Sequence, residues 1–226
     1  MRLVGVRIGA PDARRAVEAY TALLGVAPAE VASGRQRLQL GRGAVEIEAG
    51  EPGVHAVLFA PDGPDDRWPA DPAASHGLTI VVETPPQVTS RALAADAAVA
   101  IDHVVVFTPD PARAIALWRD ARGLRLAFDR EFLERRVRLM FFRSGGLTFE
   151  FACALPPPDD ASGPDRFYGV SYRVPNLASR RATLLAEGFD VSEIRTGNKK
   201  GTRVASVRSG TAEVPTLLLE EEARDE

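Results

Sequence analysis

The chain has 226 residues, 45% hydrophobic and 26% charged, and its 28 Lys and Arg against 31 Asp and Glu leave a formal net charge of −3. This is the composition of a soluble globular protein with room for one large domain or two small ones, and without the bulk charge that draws a protein to nucleic acid or anionic lipid. The single cysteine, Cys153, excludes a disulfide scaffold or a cysteine-built zinc cluster, arginines interrupt the apolar start, and no window reads as a membrane span, so the expected setting is the cytoplasm.

In chain order, Leu3 to Ile8 reads as a strand, Pro11-Asp12 as a helix start, Tyr20 as an aromatic core position and Gly25 as a helix stop. Gln36 to Leu40 and Ala44 to Glu48 then form a hairpin around Gly41-Arg42-Gly43. Val54 to Phe59 and Leu78 to Val82 are two further strands. Only a Pro/Asp-rich stretch, Pro61 to Ala74, joins them, so a helix is expected to be missing there.

Ile101 to Leu124 aligns over Leu3 to Val26 without a gap, so the chain carries an internal repeat. Pro109-Asp110 falls on Pro11-Asp12, Trp118 on Tyr20 and Gly123 on Gly25. The hairpin recurs as Arg136 to Phe142 and Leu147 to Ala152 around Ser144-Gly145-Gly146, which places Glu150 over Glu46. After a second linker at Pro156-Pro157-Pro158 come a strand at Tyr168 to Val174, a helix from about Leu177 to Glu187 stopped by Gly188, and strands near Arg203 to Arg208 and Thr216 to Leu219. The tail Glu220 to Glu226 reads as frayed. The expected fold class is α+β, with tandem βαβββ modules in two halves, 1–98 and 99–222, the first half degenerate.

Four such units, the strand Asp102-His103-Val104-Val105-Val106, the turn Thr108-Pro109-Asp110-Pro111 and the strand containing Thr148-Phe149-Glu150 together resemble the vicinal oxygen chelate superfamily, the glyoxalase, bleomycin-resistance and extradiol-dioxygenase group. The resemblance implies paired modules, each pair closing a cup-shaped mixed sheet around a pocket. In metal-dependent members the cup holds a divalent ion that takes two adjacent substrate oxygens. The ligand positions it implies are Gly5, His55, His103 and Ser171 on first strands and Glu46, Val81, Glu150 and Leu218 on last strands, of which only Glu46, His55, His103 and Glu150 have suitable side chains.

Two pairings remain open. If the third unit pairs with the fourth, His103 and Glu150 face Ser171 and Leu218, and two ligands hold a metal weakly. If the second pairs with the third, His55 joins His103 and Glu150 in a set suited to Fe, Mn, Ni or Zn. Under either pairing, Glu150 lies between Phe149 and Phe151 and must face a cavity, water or a cation, where burial raises its pKa toward that of a general base. Ser171 and Arg173 share a strand face by the period of two, and Arg173 suits a substrate carboxylate. The glycine-punctuated basic run Arg195 to Arg203 is a hairpin or a pocket cover.

The functional expectation is a small oxygenated ligand in the C-terminal half. It is handled by a lyase, isomerase or ring-cleaving dioxygenase with a divalent metal, or by a metal-free sequestering protein of the bleomycin-resistance type. Neither nucleic acid nor membrane is an expected partner, and a homodimer is left open.

Overall fold

The computed structural model describes residues 1–31, 34–69 and 71–222, without the side chain of Pro72. Of the two segments read as linker and frayed tail, Ala70 and residues 223–226 lie outside the described residues.

The first sheet is built from β1 (Arg2–Ala10), β2 (Ala29–Glu30), β3 (Gln36–Gln39), β4 (Ala44–Ala49), β5 (Gly53–Ala60) and β6 (Ile80–Val82), in the order β2-β3-β4-β1-β5-β6. The second uses β7 (Ala100–Phe107), β8 (Arg125–Phe132), β9 (Val137–Ser144), β10 (Leu147–Ala154), β11 (Arg166–Arg173), β12 (Arg195–Thr196), β13 (Thr202–Val207) and β14 (Thr216–Glu221). Its order is β12-β13-β14-β11-β7-β10-β9-β8. Both sheets are mixed: β1 runs parallel to β4 and antiparallel to β5, and β7 runs parallel to β10 and antiparallel to β11. The pairing is therefore first unit with second and third with fourth. Glu220 and Glu221 close β14 instead of fraying, held by Arg203 and Lys199.

Two helices start at the caps expected, Asp12 and Asp110, and a third at a cap not named from the sequence, Asn176. Asp12 accepts from the Arg15 N–H at the head of α1 (Ala13–Leu24), Asp110 from Arg113 at α2 (Pro111–Ile115), and Asn176 from Ser179 at α3 (Leu177–Ala186). Gly25 ends α1 at φ 66°, a left-handed conformation that costs glycine nothing. The helix expected up to Gly123 is α-helical only to Ile115 and continues as a π-helical stretch, Ala116–Ala121, carrying Trp118.

The apolar faces of both sheets meet in one core that holds residues from both halves, from Leu3 and Phe59 to Phe149 and Leu218. Trp118 is its centre. The ring is fully buried, stacks on Phe59 of β5 and packs edge-on to Phe149 of β10. Among the described residues between β5 and β6 the helical structure is a short 3-10 turn, Pro72–Ser75, in place of an α-helix. Trp68 from that stretch stacks on Trp118 at 5.2 Å, and the Arg122 guanidinium covers its outer side at 4.0 Å. Arg180 of α3 pairs with Asp96 and donates to the Ala22 carbonyl of α1, tying the halves together. No helix among the described residues is long and apolar enough to cross a membrane.

Because one indole joins both sheets, Trp118→Ala should cost about 3–5 kcal/mol in chemical denaturation, and Trp68→Ala about 1–3 kcal/mol. A single transition weakened by both changes is expected. Two transitions, with Trp118→Ala affecting only one, would contradict a shared core.

Candidate active site

The β7–β11 ladder puts His103 opposite Ser171, and β10 puts Thr148 beside His103 and Glu150 beside Val105. With successive side chains alternating across a strand, His103, Val105, Thr148 and Glu150 share the open face, while Val104, Phe149 and Phe151 enter the core. One irregularity matters. The register slips between Ser171 and Tyr172, so the consecutive residues Asp102 and His103 both stay on the accessible side, each 18% exposed.

That slip assembles a chain of charges. Asp102 accepts from or pairs with His103 Nδ1 at 2.9 Å, and its other oxygen is ion-paired to Arg173. Arg173 Nη1 holds Glu221 at 2.8 Å, and Lys199 holds Glu221 in turn. On the far side of the ring, His103 Nε2 lies 3.8 Å from Glu150 Oε2, too long for a hydrogen bond but close enough for strong charge coupling.

The electrostatics follow from this arrangement. Burial resists ionisation of Asp102, but its contacts with His103 and Arg173 hold the carboxyl well below the usual range. Burial likewise works against the imidazolium, yet the Asp102 hydrogen bond and the charges of Glu150 and Asp102 outweigh it and the opposing charge of Arg143. The His103 pKa therefore rises above the ordinary 6.5. Burial raises the Glu150 pKa above 4.5, partly offset by His103.

A cavity of about 500 Å3 opens beside His103, lined also by Ser171, Val105, Tyr168 and Leu217. The Ser171 hydroxyl is buried and has no hydrogen-bond partner among the described residues. Phe107 and Tyr168, each about half exposed, pack at 4.5 Å further along the same face.

Several expectations need correction. His55 is not brought to His103: it lies on the first sheet, with Nδ1 3.2 Å from Glu48 and Nε2 2.7 Å from the Glu51 carbonyl. The register explains why. Gly5 pairs with Leu58 as His103 pairs with Ser171, so the residue in the Ser171 position is Leu58 and His55 sits three residues toward the strand start. Leu217 pairs with Ser171, so Leu219, not Leu218, stands where Glu150 stands in its own unit. Leu58 pairs with Val81, and Glu83, not Val81, takes the corresponding place beyond β6. Arg173 has both terminal nitrogens engaged by Asp102 and Glu221, so it orients Asp102 and offers no free fork to a substrate carboxylate. The basic run is a short hairpin, β12–β13, tied down through Lys199.

Asp102 was missed as a functional residue. Its signal was an acid directly before a histidine in an apolar strand, where strict alternation would drive one of the two into the core and a bulge is the cheaper solution.

The corresponding face of the first sheet is filled by its own charges. Glu46, 1% exposed, takes Arg37 at 2.8 Å, Arg7 at 3.0 Å and Arg35 at 3.5 Å, and Arg7 also reaches Glu48 and Glu83, both at 3.7 Å. Glu46→Gln should therefore destabilise the protein by about 3–5 kcal/mol, because it leaves buried guanidinium groups uncompensated. A loss below about 1 kcal/mol in urea unfolding would contradict this closed ion cluster.

The superfamily resembled by the sequence implies a divalent metal, and a catalytic metal takes about three protein ligands. In the second sheet, His103 Nε2 and Glu150 are the two uncommitted donors. Asp102 is engaged by His103 and Arg173, Ser171 offers a neutral hydroxyl, and Leu219 offers nothing. Among the described residues no group of three or more His, Cys, Asp or Glu is placed to hold a metal ion. This donor set does not fit an iron, manganese, nickel or zinc centre of that kind.

The family model described as Glyoxalase/Bleomycin resistance protein/Dioxygenase superfamily matches residues 102–205. That match spans just under half of the chain and contains most of β7 and all of β8 to β11, with His103 and Glu150 inside it. A likeness of fold to solved structures extends over the whole chain. The chain superposes on a mutant of 4-hydroxymandelate synthase from Streptomyces coelicolor with a TM-score of 0.69 and 13% identity, covering 100% of this chain and 94% of that one. BphC, a halotolerant catechol dioxygenase, gives 0.69 and 12%, covering 99% and 88%. Methylmalonyl-CoA epimerase from Mycobacterium tuberculosis gives 0.48 and 18%, covering 58% and 93%. At such identities the likeness concerns fold. No curated protein matches the sequence.

Proposed function

We propose that the C-terminal cup binds a small oxygenated molecule and moves a proton on it, as an isomerase or lyase, with His103 and Glu150 as the acid–base pair. The observation that carries this reading is that His103 is fixed at one nitrogen and free at the other. Nδ1 is held by Asp102, while Nε2 and the Glu150 carboxylate lie 3.8 Å apart with no hydrogen-bond partner among the described residues.

Asp102, kept ionised, accepts a hydrogen bond from Nδ1–H and so leaves proton exchange to Nε2. The raised pKa of His103 keeps it cationic closer to neutrality, where it can donate, and the raised pKa of Glu150 makes its carboxylate a better base. A substrate above both groups loses a proton to Glu150 and gains one from His103, or the reverse. Ser171, with its unpartnered hydroxyl, is suited to a substrate oxygen in the adjoining cavity. Arg173 and Glu221 act through Asp102 as positioning residues.

A second reading is favoured by the exposed Phe107–Tyr168 pair: a cup that sequesters an apolar ligand without changing it.

Proton NMR in D2O over a panel of hydroxyketones and 2-oxo acids separates the two. Catalysed exchange of a C–H adjacent to a carbonyl is expected, falling about 10²–10⁴-fold in Glu150→Gln and in His103→Gln. The rate should follow a bell with its acid limb above 4.5, where Glu150 loses its proton, and its alkaline limb above 6.5, where His103 loses its own. Saturable binding of panel members with no exchange would overturn the enzyme reading in favour of sequestration.

A further inference from the structure

With Arg173 committed to protein carboxylates, the cations that remain free beside the site lie on the other flank of His103. The row across the sheet that contains Ser171, His103 and Thr148 continues into Arg143 of β9 and Arg125 of β8, whose Cα atoms are register partners. Adjacent strands are about 4.8 Å apart, so Arg143 starts about 10 Å from His103, within reach of its long side chain toward a shared ligand.

Arg125 and Arg143 are like charges directly opposite one another on the same face, an arrangement that destabilises a sheet unless an anion lies between. Both are exposed, and among the described residues neither has a carboxylate within ion-pair distance. A third guanidinium arrives from the other half of the chain. Arg42, in the turn between β3 and β4, is fixed by backbone hydrogen bonds to Val99 and Ile101 and lies against the Gly145-Gly146 turn that opens β10. Arg42, Arg143 and Lys199 line a cavity of about 560 Å3. Of its two acids, Glu221 is occupied by Arg173 and Lys199, and Glu222 lies beside Gly201 and acts on Arg203.

We propose that Arg143, flanked by Arg125 and Arg42, is the anion subsite of the His103–Glu150 site, so that the substrate is a small oxygenated molecule bearing a carboxylate or a phosphate. This rests on the acid–base reading of that site and adds its substrate class. A guanidinium fork suits either anion through paired N–H donors, and docking there places the rest of the molecule toward Thr148, His103 and Glu150.

Inorganic phosphate and succinate, titrated at constant ionic strength against sodium chloride and followed by thermal shift and proton NMR, test this without turnover. A saturable response to at least one of them is expected, weakened about tenfold or more in Arg143→Gln, the loss that follows from one charge-assisted bidentate contact. Preference for phosphate would mark a phosphorylated substrate and preference for succinate a carboxylic acid. His103→Gln should keep the anion affinity, so failure of the acid–base reading leaves this result standing and the two are separable. Without anion at low salt, Arg125→Gln should raise Tm, and the gain should vanish at high salt. No saturable response to either anion, an affinity unchanged in Arg143→Gln, or a Tm lowered in Arg125→Gln would overturn the proposal.

Discussion

The antiparallel pairing of β7 with β11, and of β1 with β5, determines which side chains can share a cup, and the rest of the structure depends on it. Each sheet is assembled from consecutive units, so His103 meets Ser171 and is separated from His55 by the shared core. The same ladder carries the slip at Asp102 that turns a histidine in a strand into a histidine with a carboxylate behind it. Had the strand alternated regularly through residue 102, Asp102 would have entered the core, at a cost few folds tolerate.

The two cups show what charge does on one scaffold. In the first, Glu46 is surrounded by Arg7, Arg35 and Arg37, and the face is closed by ion pairs. In the second, His103 Nε2 and the Glu150 carboxylate have no hydrogen-bond partner among the described residues, and His103 lines a cavity. The first cup satisfies its buried charge internally; the second pairs His103 with Asp102 on one side and leaves His103 Nε2 3.8 Å from Glu150 on the other. This difference, more than the fold, is what supports the proposal of an acid–base site in the C-terminal half.

Much of this was legible in the sequence. The caps at Asp12 and Asp110, the aromatic position at Trp118, the sharing of a face by Glu150 and His103, and the lack of an α-helix among the described residues between β5 and Leu78 all follow from local chemistry and periodicity. The pairing of units was not legible, because it depends on contacts far apart in the chain. Register was also out of reach: assigning His55 or Leu218 to a ligand position takes an alignment correct to one residue, and each is displaced in the structure. Arg173 was placed correctly beside the site, but its partners, Asp102 and Glu221, come from β7 and β14 and could not be read from its own strand.

The central claim is that His103 is oriented by Asp102 and coupled through Nε2 to Glu150. NMR titration of its imidazole carbon-bound protons measures this most directly. A pKa above 6.5, falling in both Asp102→Asn and Glu150→Gln, is the result these contacts predict. A pKa at or below 6.5 that neither substitution moves would contradict it.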